Sequence, residues 1–148
     1  FGNGEQIPTL EEALRVCQGR VAPMIELIDP TIVSDLLRVV TECGVAESAV
    51  IASFHHRALL EVRRCRPELA TLALIEGIPV DGVAFAVRAE VTHIGASVDS
   101  ITAEFVGDAH GRGFTMFSYT ANDPRDIRWL VEVGVDGIIS DFPELIPR

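Results

Sequence analysis

The residues most able to do chemistry are one carboxylate, four imidazoles and a few polar groups at the ends of apolar runs. Glu26 stands near the end of the apolar run Val21-Ala22-Pro23-Met24-Ile25-Glu26-Leu27-Ile28, and a carboxylate there must be capped, ion-paired or bound to a cation, because burial strips its hydration. His55, His56, His93 and His110 could move a proton near neutral pH, His55-His56 at a strand-to-helix junction and His110 on a helix facing solvent. Tyr119, Thr120, Asn122, Ser140 and Asp141 fall where two strands end. Tyr119 and Phe54 could face a cleft or pack an interior, and Ser140-Asp141 reads equally well as a turn cap.

Those positions follow from the elements around them. Asp123 can cap a helix with Pro124 in its first turn, Ile127, Leu130 and Val131 give that helix one apolar side, and Gly134 stops it. Val135 to Ile139 then reads as a buried strand, and Phe114 to Thr120 as the strand before the helix. Strand, short loop, helix and strand make the parallel crossover, which collects chemistry where strands end.

The same alternation runs through the chain. Thr9-Leu10-Glu11-Glu12 has capping-box spacing, with Ile7 placed to staple and Leu10, Ala13, Leu14 and Cys17 forming a stripe. Pro23 confines the pairing of the first strand to Met24 to Leu27, and Asp29-Pro30 opens a helix carrying Val33, Leu36, Leu37 and Val40. Ser48 to Phe54 is a strand, and the helix from His56 must end before Pro67. Ala70 to Ile75 is another apolar run, Val80 to Val91 fits helix or strand equally, and Glu90 to Gly95 is the expected strand. Ile101, Phe105, Val106 and Ala109 mark a helix. Six strands, near residues 24, 50, 72, 92, 117 and 137, alternate with helical patterns, which is the signature of a single-domain parallel α/β fold over residues 1–148. No glycine-rich dinucleotide or P-loop sequence follows any strand, so a (β/α)8 TIM barrel or part of one is expected.

Composition excludes some functions. With 148 residues, 48% of them hydrophobic, and a mean hydropathy of +0.30, much of the chain must be buried. Its 12 basic residues, all Arg, stand against 22 acidic ones, and the net charge of −10 argues against nucleic acid or an anionic membrane as partner. No apolar run reaches the length of a transmembrane span. Cys17, Cys43 and Cys65 have neither zinc nor paired-disulfide spacing and are expected reduced and packed. Arg63, Arg64 and Arg66 read as a solvated helix end. The opening Phe1-Gly2-Asn3-Gly4, without an initiator Met, suggests a start inside a longer product.

Four segments resemble the glycerophosphodiester phosphodiesterase family. They are Ile7-Pro8-Thr9-Leu10-Glu11-Glu12-Ala13-Leu14; Ile25-Glu26-Leu27; Ile51-Ala52-Ser53-Phe54 with Leu59 and Pro67-Glu68; and Tyr119 to Asp123 running on to Gly134 to Pro143. The resemblance implies a (β/α)8 barrel of which strands three to eight are present. It also implies hydrolysis of glycerophosphodiesters to glycerol 3-phosphate and an alcohol with a divalent cation, Ca²⁺ or Mg²⁺. It makes Glu26 the third metal carboxylate and puts Tyr119 where a cleft-lining Trp is common, with Ser140-Asp141 where Thr-Asp is common. Phe54, Tyr119 and Ser140 are the expected substrate contacts, and Glu26 the expected metal ligand. The family's His-Arg-Gly, Glu-x-Asp and His-Asp motifs of the first two strands are not in this sequence, so no catalytic residue is assigned.

Ile28 stands where the family has a phosphate-binding Lys, and an apolar side chain supplies no positive charge. The competing reading is therefore a non-catalytic barrel relative that binds or scaffolds. Six strands alone would leave two unpaired edges, so further strands or a second copy of the chain is expected there, and self-association of the isolated chain with it. Members of the family occur both in the cytoplasm and exported; the cytoplasm is slightly favoured here.

Overall fold

The computed structural model describes Gly4 and residues 6–147. Helix α1 (Leu10–Cys17) starts at a capping box: the Glu12 N–H donates to Thr9 Oγ1 at 3.2 Å, and the Thr9 N–H donates to Glu12 Oε2 at 2.8 Å. Ile7 does not staple it. Its side chain is 86% exposed, and α1 buries only Leu14 fully while packing on α2 (Val33–Glu42).

The strands are β1 (Met24–Glu26), β2 (Val50–Ser53), β3 (Ala70–Ile75), β4 (His93–Ser97), β5 (Thr115–Tyr119) and β6 (Gly137–Ile138). They pair in chain order, all parallel, in one six-stranded sheet. Between them run α2, α3 (His56–Cys65), α4 (Ala84–Arg88), α5 (Ala103–Gly111) and α6 (Pro124–Val133). Sequential parallel order with a helix at each crossing is the arrangement of part of a (β/α) barrel. Among the described residues no helix is long and apolar enough to cross a membrane.

Side chains alternate across the sheet as the two-residue strand period requires. Ile51, Ala73, Ile75, Ile94, Ala96 and Met116 face outward into the main core, with Leu36, Val40, Leu59, Val62, Phe105, Ile127 and Leu130 of the helices. Ala52, Leu72 and Leu74 face inward with Val50, Phe117 and Tyr119. That inner layer interdigitates large with small residues. Leu74 pairs with Gly95, Gly95 with Phe117, and Phe117 with Gly137. A Cβ on Gly95 would come within 2.6 Å of Leu72 Cδ2, and one on Gly137 would overlap the Phe117 ring. Both glycines are the small halves of a packed interior.

Several boundaries differ from the sequence expectation. The undecided stretch forms α4, a short helix burying Ala86, with Val83 buried at its N-cap, and β4 starts at His93 rather than Glu90. Glu90 is in a left-handed turn (φ 54°), which ends the helical stretch before the strand. Regular strand at the chain's end is only Gly137–Ile138, half-buried rather than buried, because β6 is an edge with one neighbour. The three cysteines are free, Cys43 buried and Cys17 half-buried, but Cys65 is exposed rather than packed. Arg63 is no solvated cation: its guanidinium donates to the carbonyls of Glu90 (3.0 Å), Leu69 (3.1 Å) and Pro67, tying the end of α3 to the start of β3.

Candidate functional site

The C-terminal ends of the strands form a cavity of 300 Å³. Its lining comes from β1 (Met24, Glu26), β2 (Ala52, with Phe54 just beyond), β3 (Leu74), β5 (Tyr119, with Thr120 just beyond) and the residue after β6, Ile139. Glu26, Phe54 and Tyr119, three of the four expected site residues, thus share one cavity. Glu26 is the last residue of β1 and the sole charged group in that lining; it is exposed rather than buried, because β1 is an edge strand, so burial does not oblige it to take a partner.

Phe54 and Tyr119 form an aromatic wall, with ring centroids 6.1 Å apart and planes at 89°. The Tyr119 hydroxyl donates to the Ile75 carbonyl at 2.8 Å, reaching from β5 to β3 and fixing the ring. Burial raises its pKa to about 12, and the nearby carboxylates of Glu76 and Glu26 push the same way. At neutral pH this phenol is a neutral donor, not a base.

The chain after Glu26 is held by Ser53, fully buried at the end of β2. Its hydroxyl donates to the Leu27 carbonyl at 2.6 Å and accepts from the His55 N–H at 2.9 Å, while the Leu27 N–H donates to the Ala52 carbonyl at 2.7 Å. The chain directly after Glu26 is therefore held on both sides of one residue. Ile28, one residue further, turns 75% exposed into solvent.

Ser140 lies beside the cavity and is not among its lining residues. Its hydroxyl donates to Asn122 Oδ1 at 3.1 Å and accepts from the Phe142 N–H at 3.0 Å. Asn122 Nδ2 donates to Asp141 Oδ2 at 2.8 Å, and the Asp141 N–H donates to Asn122 Oδ1 at 2.9 Å. Together these lock the turn after β6 to the loop after β5, so the turn-cap reading of Ser140-Asp141 describes its geometry.

No histidine lines the cavity. His56 donates from Nε2 to the Leu74 carbonyl at 2.9 Å and stacks on Phe85, with centroids 5.3 Å apart. His93 begins β4, at the opposite end of the strands, where burial lowers its pKa against the pull of Asp136. His110 Nε2 donates to Asp136 Oδ2 at 2.8 Å, so it is paired rather than merely solvated. Burial pushes the Asp136 pKa up, but the Met116 N–H at 2.7 Å and His110 outweigh it, and the carboxylate titrates below its usual range.

The family's divalent cation needs several oxygen donors. Among the described residues no group of three or more His, Cys, Asp or Glu side chains could hold a metal ion. Glu26 alone does not make that site, so these residues do not hold the cation by themselves.

Sequence reasoning missed Met24, Ala52, Leu74 and Ile139 in the lining and Glu76 at its border. Strand parity was the available signal: Ala52 and Phe54 share a face of β2, Leu72 and Leu74 share one of β3, and Glu76 is the first residue past β3 as Phe54 is past β2.

Residues 3–145 match the model of the glycerophosphoryl diester phosphodiesterase family. A glycerophosphodiester phosphodiesterase of Caldanaerobacter subterraneus subsp. tengcongensis is 29% identical over 97% of this chain and 61% of that protein. One from Bacillus altitudinis is 28% identical over 93% of this chain and 60% of that protein. In three dimensions, an Oleispira antarctica phosphodiesterase solved with the product sn-glycerol-3-phosphate superposes with a TM-score of 0.86 at 22% identity, over 95% of this chain and 60% of that one. The chain thus spans about three fifths of the length of the relatives it matches. Matched by the family model along nearly its whole length, and folded as six consecutive parallel strands of the corresponding barrel, the chain belongs to the glycerophosphoryl diester phosphodiesterase family.

Proposed function

We propose that the chain serves metal-dependent hydrolysis of glycerophosphodiesters to glycerol 3-phosphate and an alcohol, its six strands being the third to eighth of the family's barrel. The observation that carries this reading is the convergence of Glu26, Phe54 and Tyr119, from three separate segments, on one cavity at the strand ends. Glu26 would be one ligand of a Ca²⁺ or Mg²⁺ ion that polarises the phosphate; the remaining donors belong to the family's first two strands, which no residue here matches. Phe54 and Tyr119 would wall the substrate, with Tyr119 held by the Ile75 carbonyl. Ser140 would shape the rim through Asn122 rather than touch the substrate.

A second reading, a non-catalytic binding or scaffold relative, is favoured by Ile28. The cavity lining contains no Arg, and the solvent-facing Ile28 supplies no charge for a phosphate.

Turnover of glycerophosphocholine and glycerophosphoethanolamine, with intact mass recorded on the same sample, separates the two. EDTA-sensitive release of glycerol 3-phosphate that disappears in Glu26→Gln supports the enzyme. No release by a sample carrying the two further strands supports the scaffold. We also propose that the free edges of β1 and β6 make the isolated 148 residues associate; a monodisperse monomer in solution scattering refutes that part.

A further inference from the structure

Helices α3 and α4 enclose a groove of 310 Å³ that shares no residue with the cavity at the strand ends. Three apolar residues, Leu60, Phe85 and Ala89, line it with three basic ones, His56, Arg57 and Arg88, and no carboxylate is among them. Phe85 is held there by its stack on His56, with centroids 5.3 Å apart. Asp81 offsets Arg88 at 2.9 Å. Arg57 pairs with no carboxylate among the described residues, and neither does Arg64, two turns along the same face of α3. In a chain of net charge −10, this puts uncompensated positive charge beside an apolar groove.

The complementary surface is on the same chain. The segment Asp141-Phe142-Pro143-Glu144-Leu145, which follows β6, exposes Phe142 (49%) and Leu145 (44%) and carries two carboxylates and no cation. Glu144 has no ion-pair partner among the described residues, and the Asp141 carboxylate accepts from the Asn122 amide at 2.8 Å. By contrast, the acids beside the exposed Ile28 and Ile32 are used locally: Asp29 accepts from the Thr31 N–H at 2.8 Å, and Asp35 pairs with Arg38 at 3.7 Å. One chain does not bring this segment to its own groove. β3 and β6 lie three strand spacings apart, about 14 Å, and Asn122 pins the turn where the segment begins.

We infer that residues 141–145 of one copy dock in the α3–α4 groove of a second copy, with Phe142 against Leu60 and Phe85 and Glu144 against Arg57. Opposite charge sets the register, and the apolar side chains leave water. The contact is heterologous, segment to groove, and it braces the turn that Ser140 and Asn122 lock beside the cavity. It is distinct from pairing of the β1 and β6 edges, which runs through backbone groups, and it does not depend on the phosphodiesterase reading.

The test is amide hydrogen exchange of the whole chain at about 20 µM and about 1 mM, because a contact this small is weak. Concentrating the sample should slow exchange over residues 141–146 and 85–89 together by about 3-fold, as a Kd near ~0.1 mM gives. Arg57→Glu and Glu144→Arg each reverse an exposed, unpaired charge, so the circular dichroism spectrum should not change. Each should cut the slowing to under about 2-fold, the effect of an association about 10-fold weaker, and about 0.5 M NaCl should act in the same direction. An equimolar mixture of the two variants should regain the slowing, because reversed groove then meets reversed segment and native groove meets native segment. Slowing confined to Met24–Glu26 and Gly137–Ile138 assigns self-association to the strand edges alone and overturns the inference. No slowing, variants that behave as wild type, or a mixture as weak as its components also overturn it. Slowing over the groove that survives Glu144→Arg but not Arg57→Glu gives the groove to another segment and overturns it as well.

Discussion

Replacing Ser53 by Ala removes one oxygen from a position that is fully buried and holds the chain just past Glu26. Two hydrogen bonds go with it, the 2.6 Å bond given to the Leu27 carbonyl and the 2.9 Å bond taken from the His55 N–H. Each such bond contributes about 1 kcal/mol net, so the loss is about 2 kcal/mol, and more if the Leu27 carbonyl stays unsolvated. For a domain of this size that lowers the melting temperature by roughly 4–8 °C. With a urea slope near ~2 kcal/mol/M, the midpoint falls by about 1 M. Ser48→Ala is the control: Ser48 is exposed, its hydroxyl donates to Val45 O at 3.2 Å, and its removal should cost under about 0.5 kcal/mol. Native-state hydrogen exchange should then show faster opening of the Leu27 and His55 amides in Ser53→Ala while amides in α5 keep their protection. A midpoint shift no larger than that of the control would refute the reasoning, because it would mean that water or a relaxed backbone replaces both bonds at no cost.

Two further predictions rest on titration. Tyr119 is the only tyrosine, so phenolate absorbance reads it directly: the native midpoint should lie near 12, against about 10 in urea. Because the folded pKa is raised, the stabilisation is fully present below pH 10 and is lost as pH rises toward 12, and Tyr119→Phe should flatten the stability profile across that window. Asp136 works in the opposite sense. Its folded pKa is lowered, so its contribution is present above the ordinary carboxylate range and is lost as pH falls through it; the urea midpoints of wild type and Asp136→Asn should therefore converge between about pH 5 and pH 2. Midpoints that stay equally far apart down to pH 2 would mean that the bond to the Met116 N–H, not the charge, is what Asp136 contributes.

Much of this architecture could be read from residues because local and global preferences agree. Thr9 with Glu12, Asp123 with Pro124, and Gly134 each declared a helix end, and all three ends are found there. The six strand positions followed because each is an apolar run bounded by breakers. What stayed hidden depends on partners distant in sequence. Arg63 looked like part of a basic cluster until the fold brought three carbonyls around it, and the half-burial of Gly137 and Ile138 reflects the missing neighbour of an edge strand. Glu26, Phe54 and Tyr119 share one cavity because strand ends converge whatever the residue, and Ser140 is not in its lining.

Position and chemistry nevertheless come apart at this rim. A strand end guarantees that a side chain meets the others, but the type of side chain decides what can happen there. Glu26 keeps a carboxylate on the cavity, whereas two residues later Ile28 gives solvent an apolar side chain with no charge. An apolar side chain at that position gives a phosphate no charge to bind. It occurs together with Phe54, Ile78 and Val80 on the next two loops, around a cavity whose lining is otherwise apolar apart from Glu26, Thr120 and one phenol.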